Sequence, residues 1–123
     1  MRVLVCDDDR ACRRALVEVL IGHGFEICEA RGGYEAIEVV RRRPIDLGFF
    51  DYRLPDLDGL STVRRLQEES FVFPFVLMSG EKQPFAETKT LPSGMVGFLA
   101  KPLGLAEVRR IIREVFGRSL PER

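Results

Sequence analysis

Apolar and polar positions along this chain fall into blocks of changing period, and those blocks mark out its elements. Arg2 to Cys6 is a short run rich in Val and Leu that ends in Asp7-Asp8-Asp9. From about Arg10 to Ile21 the spacing is helical, with Ala15, Leu16, Val19 and Leu20 on one face. Asp9 is positioned to cap that helix, and Gly22-His23-Gly24 stops it. Phe25 to Ala30 alternates apolar with polar, the pattern of a strand exposed on one side or lying at a sheet edge. Gly32-Gly33 is a turn. A second helix from about Tyr34 to Arg42 carries Ala36, Ile37, Val39 and Val40, and Pro44 closes it.

Leu47 to Phe50 is almost continuously apolar, as expected of a central parallel strand covered on both faces. Leu60, Val63 and Leu66 mark a third helix over about Gly59 to Glu69. Pro74 to Met78 and Val96 to Ala100 are the fourth and fifth strands, ending at Ser79-Gly80 and Lys101-Pro102. Between them, Glu81 to Gly94 has few apolar residues, and any helix there is short, about Phe85 to Leu91. The last helix, about Leu105 to Phe116, is clearly periodic in Leu105, Val108, Ile111, Ile112 and Val115.

Strand and helix alternate throughout, which predicts an α/β fold: a parallel sheet with helices on both faces. The single alternating strand, the second, suits an edge. That favours a five-stranded, flavodoxin-like doubly wound sheet in the order 2-1-3-4-5 with a weak or short fourth helix. A length of 123 residues suits one domain, read as 1–117 with 118–123 as a tail or the start of a linker.

Composition narrows the function classes. The 19 basic and 19 acidic residues cancel, so overall charge points neither to nucleic acid nor to an anionic membrane. No apolar run approaches the roughly 20 residues that span a bilayer, and the N-terminus reads as a strand rather than a signal peptide. Cys6, Cys12 and Cys28 are odd in number and lack Cys-x-x-Cys spacing, which predicts free thiols and a cytoplasmic location. Only 3 of the basic residues are Lys, so Lys101 at a strand end stands out.

The chemistry gathers at strand ends: Asp7 and Asp8 after the first, Asp51 after the third, Ser79 after the fourth, Lys101 after the fifth. In open α/β sheets the ligand crevice lies at that edge, where strand order reverses. In the order above, the first and third strands adjoin there, which brings the carboxylates together. Two like charges about 4 Å apart cost roughly 4 kcal/mol at an effective dielectric near 20, so the cluster calls for a divalent cation or a raised pKa. Oxygen ligands with room for water suit Mg²⁺. A cation beside Asp51 also makes its carboxylate a usable nucleophile toward a phosphoryl group. Ser79 can then donate to a phosphoryl oxygen, and Lys101 can pair with Asp51 before transfer and with the phosphate after it.

With Val5-Cys6-Asp7-Asp8-Asp9, Asp51 through Gly59, Met78-Ser79-Gly80 and Gly94 through Pro102, the chain resembles a response-regulator receiver domain over residues 1–117. The resemblance implies that Asp51 is the phosphoacceptor, Asp8 a direct metal ligand, and Asp7 a ligand through water. It implies that the Arg53 backbone carbonyl completes the metal shell, and that Ser79 and Lys101 contact the phosphate. Phe98 would be the aromatic that reorients, and the Lys101–Pro102 peptide would be cis. Two residues depart from the usual pattern: Gly80, where Ala is common, and Phe98, where Tyr is more frequent.

The implied function is a phosphorylation-dependent switch, not an enzyme of external turnover. Its partners would be a sensor histidine kinase or phosphotransfer protein, then an output domain or partner protein. Phosphorylation-dependent dimerisation is one possible output. Two rivals stand beside this. An Asp-nucleophile phosphatase of haloacid-dehalogenase type usually has a second acid two residues after the nucleophile, where this chain has Arg53. A non-phosphorylated docking module would not need the complete set Asp8, Asp51, Ser79 and Lys101.

Other residues have blander readings. His23, the only histidine, is expected at a solvent-facing helix end. Arg41-Arg42-Arg43 complements a helix C-terminus. Arg109, Arg110 and Arg113 are expected on a solvated face. Arg53 and Glu81 are spaced to pair over the site and limit access of water.

Overall fold

The computed structural model describes residues 1–81 and 91–117. The described residues form β1 (Arg2–Cys6), α1 (Arg10–Gly22), β2 (Glu26–Ala30), α2 (Gly33–Arg42), β3 (Leu47–Asp51), α3 (Gly59–Glu68), β4 (Phe75–Ser79), β5 (Met95–Ala100) and α4 (Leu105–Phe116). All strand pairs are parallel, in the order β2-β1-β3-β4-β5. This is the doubly wound arrangement that the pattern predicts. The short helix expected at Phe85 to Leu91 falls largely outside the described residues, as does the tail 118–123.

Strand pleating sorts the core into two layers. Val3, Val5, Phe49, Val76 and Met78 face α1 and α4, where they meet Leu16, Val17, Leu20, Val108, Ile111 and Ile112. Leu4, Cys6, Phe50, Phe75 and Leu77 face α2 and α3, where they meet Ile37, Val40, Leu60, Val63 and Leu66. Every residue of β3 and β4 is buried. The alternating β2 pairs only with β1, and β5 forms the opposite edge, with Val96 exposed.

The helices end as their sequences dictate. Asp9 accepts a hydrogen bond from the Cys12 N–H at the start of α1, and Asp58 accepts from Ser61 at the start of α3. After α1, Gly24 takes φ 88° while its N–H bonds to Ile21 and that of Phe25 to Leu20. This double hydrogen bond around a left-handed residue is the Schellman closure.

Three sequence expectations need correction. The buried stripe of α1 is Arg13, Leu16, Val17 and Leu20, and Ala15 is exposed. The stripe keeps the i, i+3, i+4, i+7 spacing but is turned so that Arg13 faces inward, for reasons given below. Leu105 is exposed at the first turn of α4; with Ala15 and Val19 it borders a surface groove instead of filling the core. His23, just past the end of α1, is half-buried with Nδ1 covered, and it lines the same groove as Arg109.

Candidate functional site

Strand register assembles the site. Cys6 pairs with Phe50, Asp51 with Met78, and Ser79 with Ala100. Residues just past those pairs therefore share one rim of the sheet: Asp7 beside Asp51, then Ser79 beside Lys101. Carboxylate oxygens of Asp7, Asp8 and Asp51 all lie within 4.8 Å of one another. Asp7, Asp51 and Ser79 are buried, and Asp8 is exposed at the mouth.

Lys101 Nζ stands 2.9 Å from Asp51 Oδ2 and 2.9 Å from Asp7 Oδ2. Only the contact to Asp51 has hydrogen-bonding geometry. Asp7 Oδ1 accepts the Asp9 N–H at 2.9 Å, whereas Asp7 Oδ2 is buried without a hydrogen bond. Burial pushes the Asp51 carboxyl up to about 6; Lys101 opposes this and Asp7 adds to it. Burial also works against ionised Asp7, but the Lys101 ammonium beside it and the Asp9 N–H together hold it below the ordinary carboxylate range. Burial disfavours the Lys101 ammonium as well, yet the two carboxylates outweigh that and keep it charged.

One ammonium does not neutralise three carboxylates. The cluster is made of hard oxygen donors and has an open side at Asp8 and an unsatisfied oxygen at Asp7 Oδ2. That donor set fits Mg²⁺, which binds through one or two carboxylates and keeps several waters.

The loop after β3 is built around Asp51. Arg53 N–H donates to Asp51 Oδ1 at 3.3 Å, and Tyr52 N–H reaches back to Met78 O at 2.8 Å. Gly59 N–H closes the loop onto Tyr52 O at 2.9 Å. A Cβ at Gly59 would overlap the Asp51 carbonyl, so only glycine lets α3 begin this close to the acceptor. The Arg53 side chain pairs with Glu81 beside the site. Ser79 Oγ accepts the Glu81 N–H at 3.0 Å, which leaves its own proton available. Phe98 is half-buried against the α2–α3 layer, and the Lys101–Pro102 peptide is cis.

Two neighbours escape the sequence reading. Arg13 is buried, and its Nη1 donates to Asp7 O at 2.8 Å. Its helical spacing to Leu16 and Leu20 is the signal that would have found it. Asp56 accepts from the Gly33 N–H at 2.9 Å and the Tyr34 N–H at 3.1 Å, capping α2 from the β3–α3 loop. Gly32, at the cap position, has no side chain to do so; the missing cap was legible, but not its donor. A groove of about 460 Å³ between α1 and α4 adjoins the site through Lys101, Asp9 and Cys12, and its remaining lining includes Ala15, Val19, Leu105 and Val108. The Cys12 thiol is pushed up to about 11 by burial and by Asp7 beside it, so it stays protonated.

A family model described as the response regulator receiver domain matches residues 3–113. The response regulator MprA of Mycobacterium leprae (strain TN) is 33% identical over 122 residues, covering 99% of this chain and 54% of that protein. This chain thus spans about half the length of that relative. A two-component response regulator from Clostridium difficile is similar in structure, with a TM-score of 0.85 at 25% identity, covering 96% of this chain and 97% of that one. The receiver domain of sensor histidine kinase PA1611 from Pseudomonas aeruginosa PAO1, with a magnesium ion coordinated in its active site cleft, has a TM-score of 0.82 at 25% identity, covering 94% and 97%.

Proposed function

Because the chain belongs to the response regulator receiver family, we propose that it is a signalling switch set by phosphorylation of Asp51. The observation that carries this reading is the Asp51 carboxylate at the sheet rim, 2.9 Å from Lys101 Nζ and clustered with Asp7 and Asp8. The phosphodonor is the phosphohistidine of a sensor histidine kinase or phosphotransfer protein. Asp51 and Asp8 directly, Asp7 through water and the Arg53 carbonyl would hold Mg²⁺. When bound, the ion supplies positive charge that offsets the carboxylates and the phosphoryl oxygens.

The chain's own groups do the rest. An Asp51 carboxylate oxygen bonds to phosphorus as the P–N bond of the donor breaks, and that electron pair returns to the imidazole nitrogen. Lys101 passes from the carboxylate to the new phosphoryl oxygens. Ser79 turns its free O–H toward the same oxygens, so the ends of β4 and β5 are drawn toward Asp51. Phe98, on β5, repacks with them and alters the surface offered to an output partner. The apolar groove between α1 and α4 gives a phosphodonor protein a seat adjoining the acceptor. The three cysteines are free, which suits a reducing cytoplasm.

The rival phosphatase usually has an acid two positions after its nucleophile; Arg53 stands there, and its side chain is engaged with Glu81. Incubation with acetyl phosphate and Mg²⁺, followed by intact-mass measurement, tests the proposal. One labile phosphoryl adduct is expected, lost in Asp51→Ala. An unmodified parent chain overturns the reading, and turnover of a small phosphate ester would favour the phosphatase.

A further inference from the structure

Arg13 is a charged side chain in the core, 7% exposed, and the phosphoryl chemistry above does not use it. Burying a guanidinium is costly unless it is paired and hydrogen-bonded, and Arg13 meets both conditions. Its Nε lies 3.0 Å from Glu29 Oε1 on β2, and its Nη1 donates to Asp7 O at 2.8 Å. The second Glu29 oxygen is taken by Arg14 Nη1 at 2.7 Å, so Glu29 is clamped from both sides.

The carbonyl that Arg13 grips belongs to the peptide joining Asp7 to Asp8. The N–H on the other side of Asp7 is held by Ala30 O, at the end of β2, at 3.0 Å. Both peptides flanking Asp7 are therefore tied, one to α1 and one to β2, and Glu29 links those two elements to each other. Asp8 is exposed and has no hydrogen bond of its own among the described residues that would orient it. The peptide that Arg13 holds sets the backbone from which its side chain leaves.

We infer that Arg13, braced by Glu29, is a positioning residue that orients the Asp7–Asp8 pair for a divalent cation. This rests on the reading of the acidic cluster as a Mg²⁺ site. Groups behind metal ligands are typically worth 10- to 100-fold in affinity when lost. Lysine is no substitute, because a single ammonium does not reproduce the planar fork that spans a carbonyl and a carboxylate.

The test measures Mg²⁺ affinity by calorimetry in the parent chain, Arg13→Lys and Glu29→Gln. Melting curves in EDTA establish that each variant is folded at the temperature used. Arg13→Lys should raise the Mg²⁺ Kd about tenfold. Glu29→Gln, which leaves the guanidinium in place but loosens its brace, should raise it by a smaller factor. The acetyl phosphate labelling rate should return to near the parent value at saturating Mg²⁺ in both, since Asp51, Ser79 and Lys101 are untouched. A lower melting temperature with an unchanged Kd in both variants makes Arg13 merely structural and overturns the inference. If Arg13→Lys does not fold, Glu29→Gln decides alone: an unchanged Kd overturns the inference and a raised one supports it. A parent chain that binds no Mg²⁺ overturns the reading of the site itself, a different outcome from a parent that binds and variants that do not differ from it.

Discussion

Lys101 Nζ sits 2.9 Å from Asp51 Oδ2, and it is the only side-chain hydrogen-bond donor to that carboxylate among the described residues. Burial nevertheless pushes the Asp51 carboxyl up to about 6, and Asp7 beside it adds to this against the pull of Lys101. Ionised Asp51 therefore works against the folded state. Asp51→Asn should therefore raise the melting temperature in EDTA by several degrees. Asp8→Asn should act in the same direction but less, because Asp8 is exposed. Added Mg²⁺ should stabilise the parent more than either variant. Lower melting temperatures for both variants in EDTA would refute the argument.

The same displacement sets a pH dependence. Asp51 titrates near 6 when folded and near its ordinary 3.8 when unfolded. The folded state thus binds the extra proton between those values, and stability rises as pH falls through that window. Asp7 works in the opposite sense: its lowered carboxyl stabilises the fold above the ordinary range, and that contribution fades only as pH falls below it. Metal-free protein should gain stability from pH 7 to about 5, by urea titration at each pH. The gain should be absent in Asp51→Asn; a parent curve that is flat or falling would contradict it.

Arg53 and Glu81 pair across the rim, joining the loop after β3 to the end of β4 beside Asp51. Both side chains are substantially exposed, so the pair does little for stability; we propose that it restricts the approach of water to the acceptor. Arg53→Ala is expected to shorten the aspartyl-phosphate lifetime several-fold, and Glu81→Gln to do so less, with melting temperatures unchanged. Decay of the labelled protein followed by mass measurement reads this directly, and equal lifetimes would dismiss the role.

The contrast between Asp51 and Arg13 explains how much of this was visible in sequence. Asp51 follows an unbroken apolar strand, and the alternation of Phe25 to Ala30 puts β2 at an edge, so topology brings Asp7, Asp51 and Lys101 to one rim. Strand periodicity encodes such placements because the backbone itself carries them. Arg13 sits at a helical position where a long side chain can turn inward or snorkel outward, and its partners are a backbone carbonyl and a residue on another element. Ala15 and Leu105 were misplaced for the same reason: apolar character marked a face, but not which edge of it a groove would leave open. Glu81 to Gly94 has too few apolar residues to declare a period, so pattern alone does not define its element.

Ser70 offers a last check on the local physics. It occupies the left-handed region at φ 70° just past α3, with its N–H on Gln67 O at 2.9 Å and the Phe71 N–H on Leu66 O at 2.9 Å. This is the same double closure that ends α1, where Gly24 holds the corresponding place. Gly117 also takes the left-handed conformation after α4. A side chain there costs roughly 1–2 kcal/mol, partly offset because glycine gives the unfolded chain more freedom to lose. Ser70→Gly should therefore stabilise the fold by about 0.5–1 kcal/mol, seen as a higher urea midpoint at unchanged slope. Phosphorylation of Asp51 should be unaffected, since the turn lies at the opposite end of α3 from Gly59. A lower midpoint would mean that the Ser70 side chain itself supports the turn, and that α3 closes by a different balance from α1.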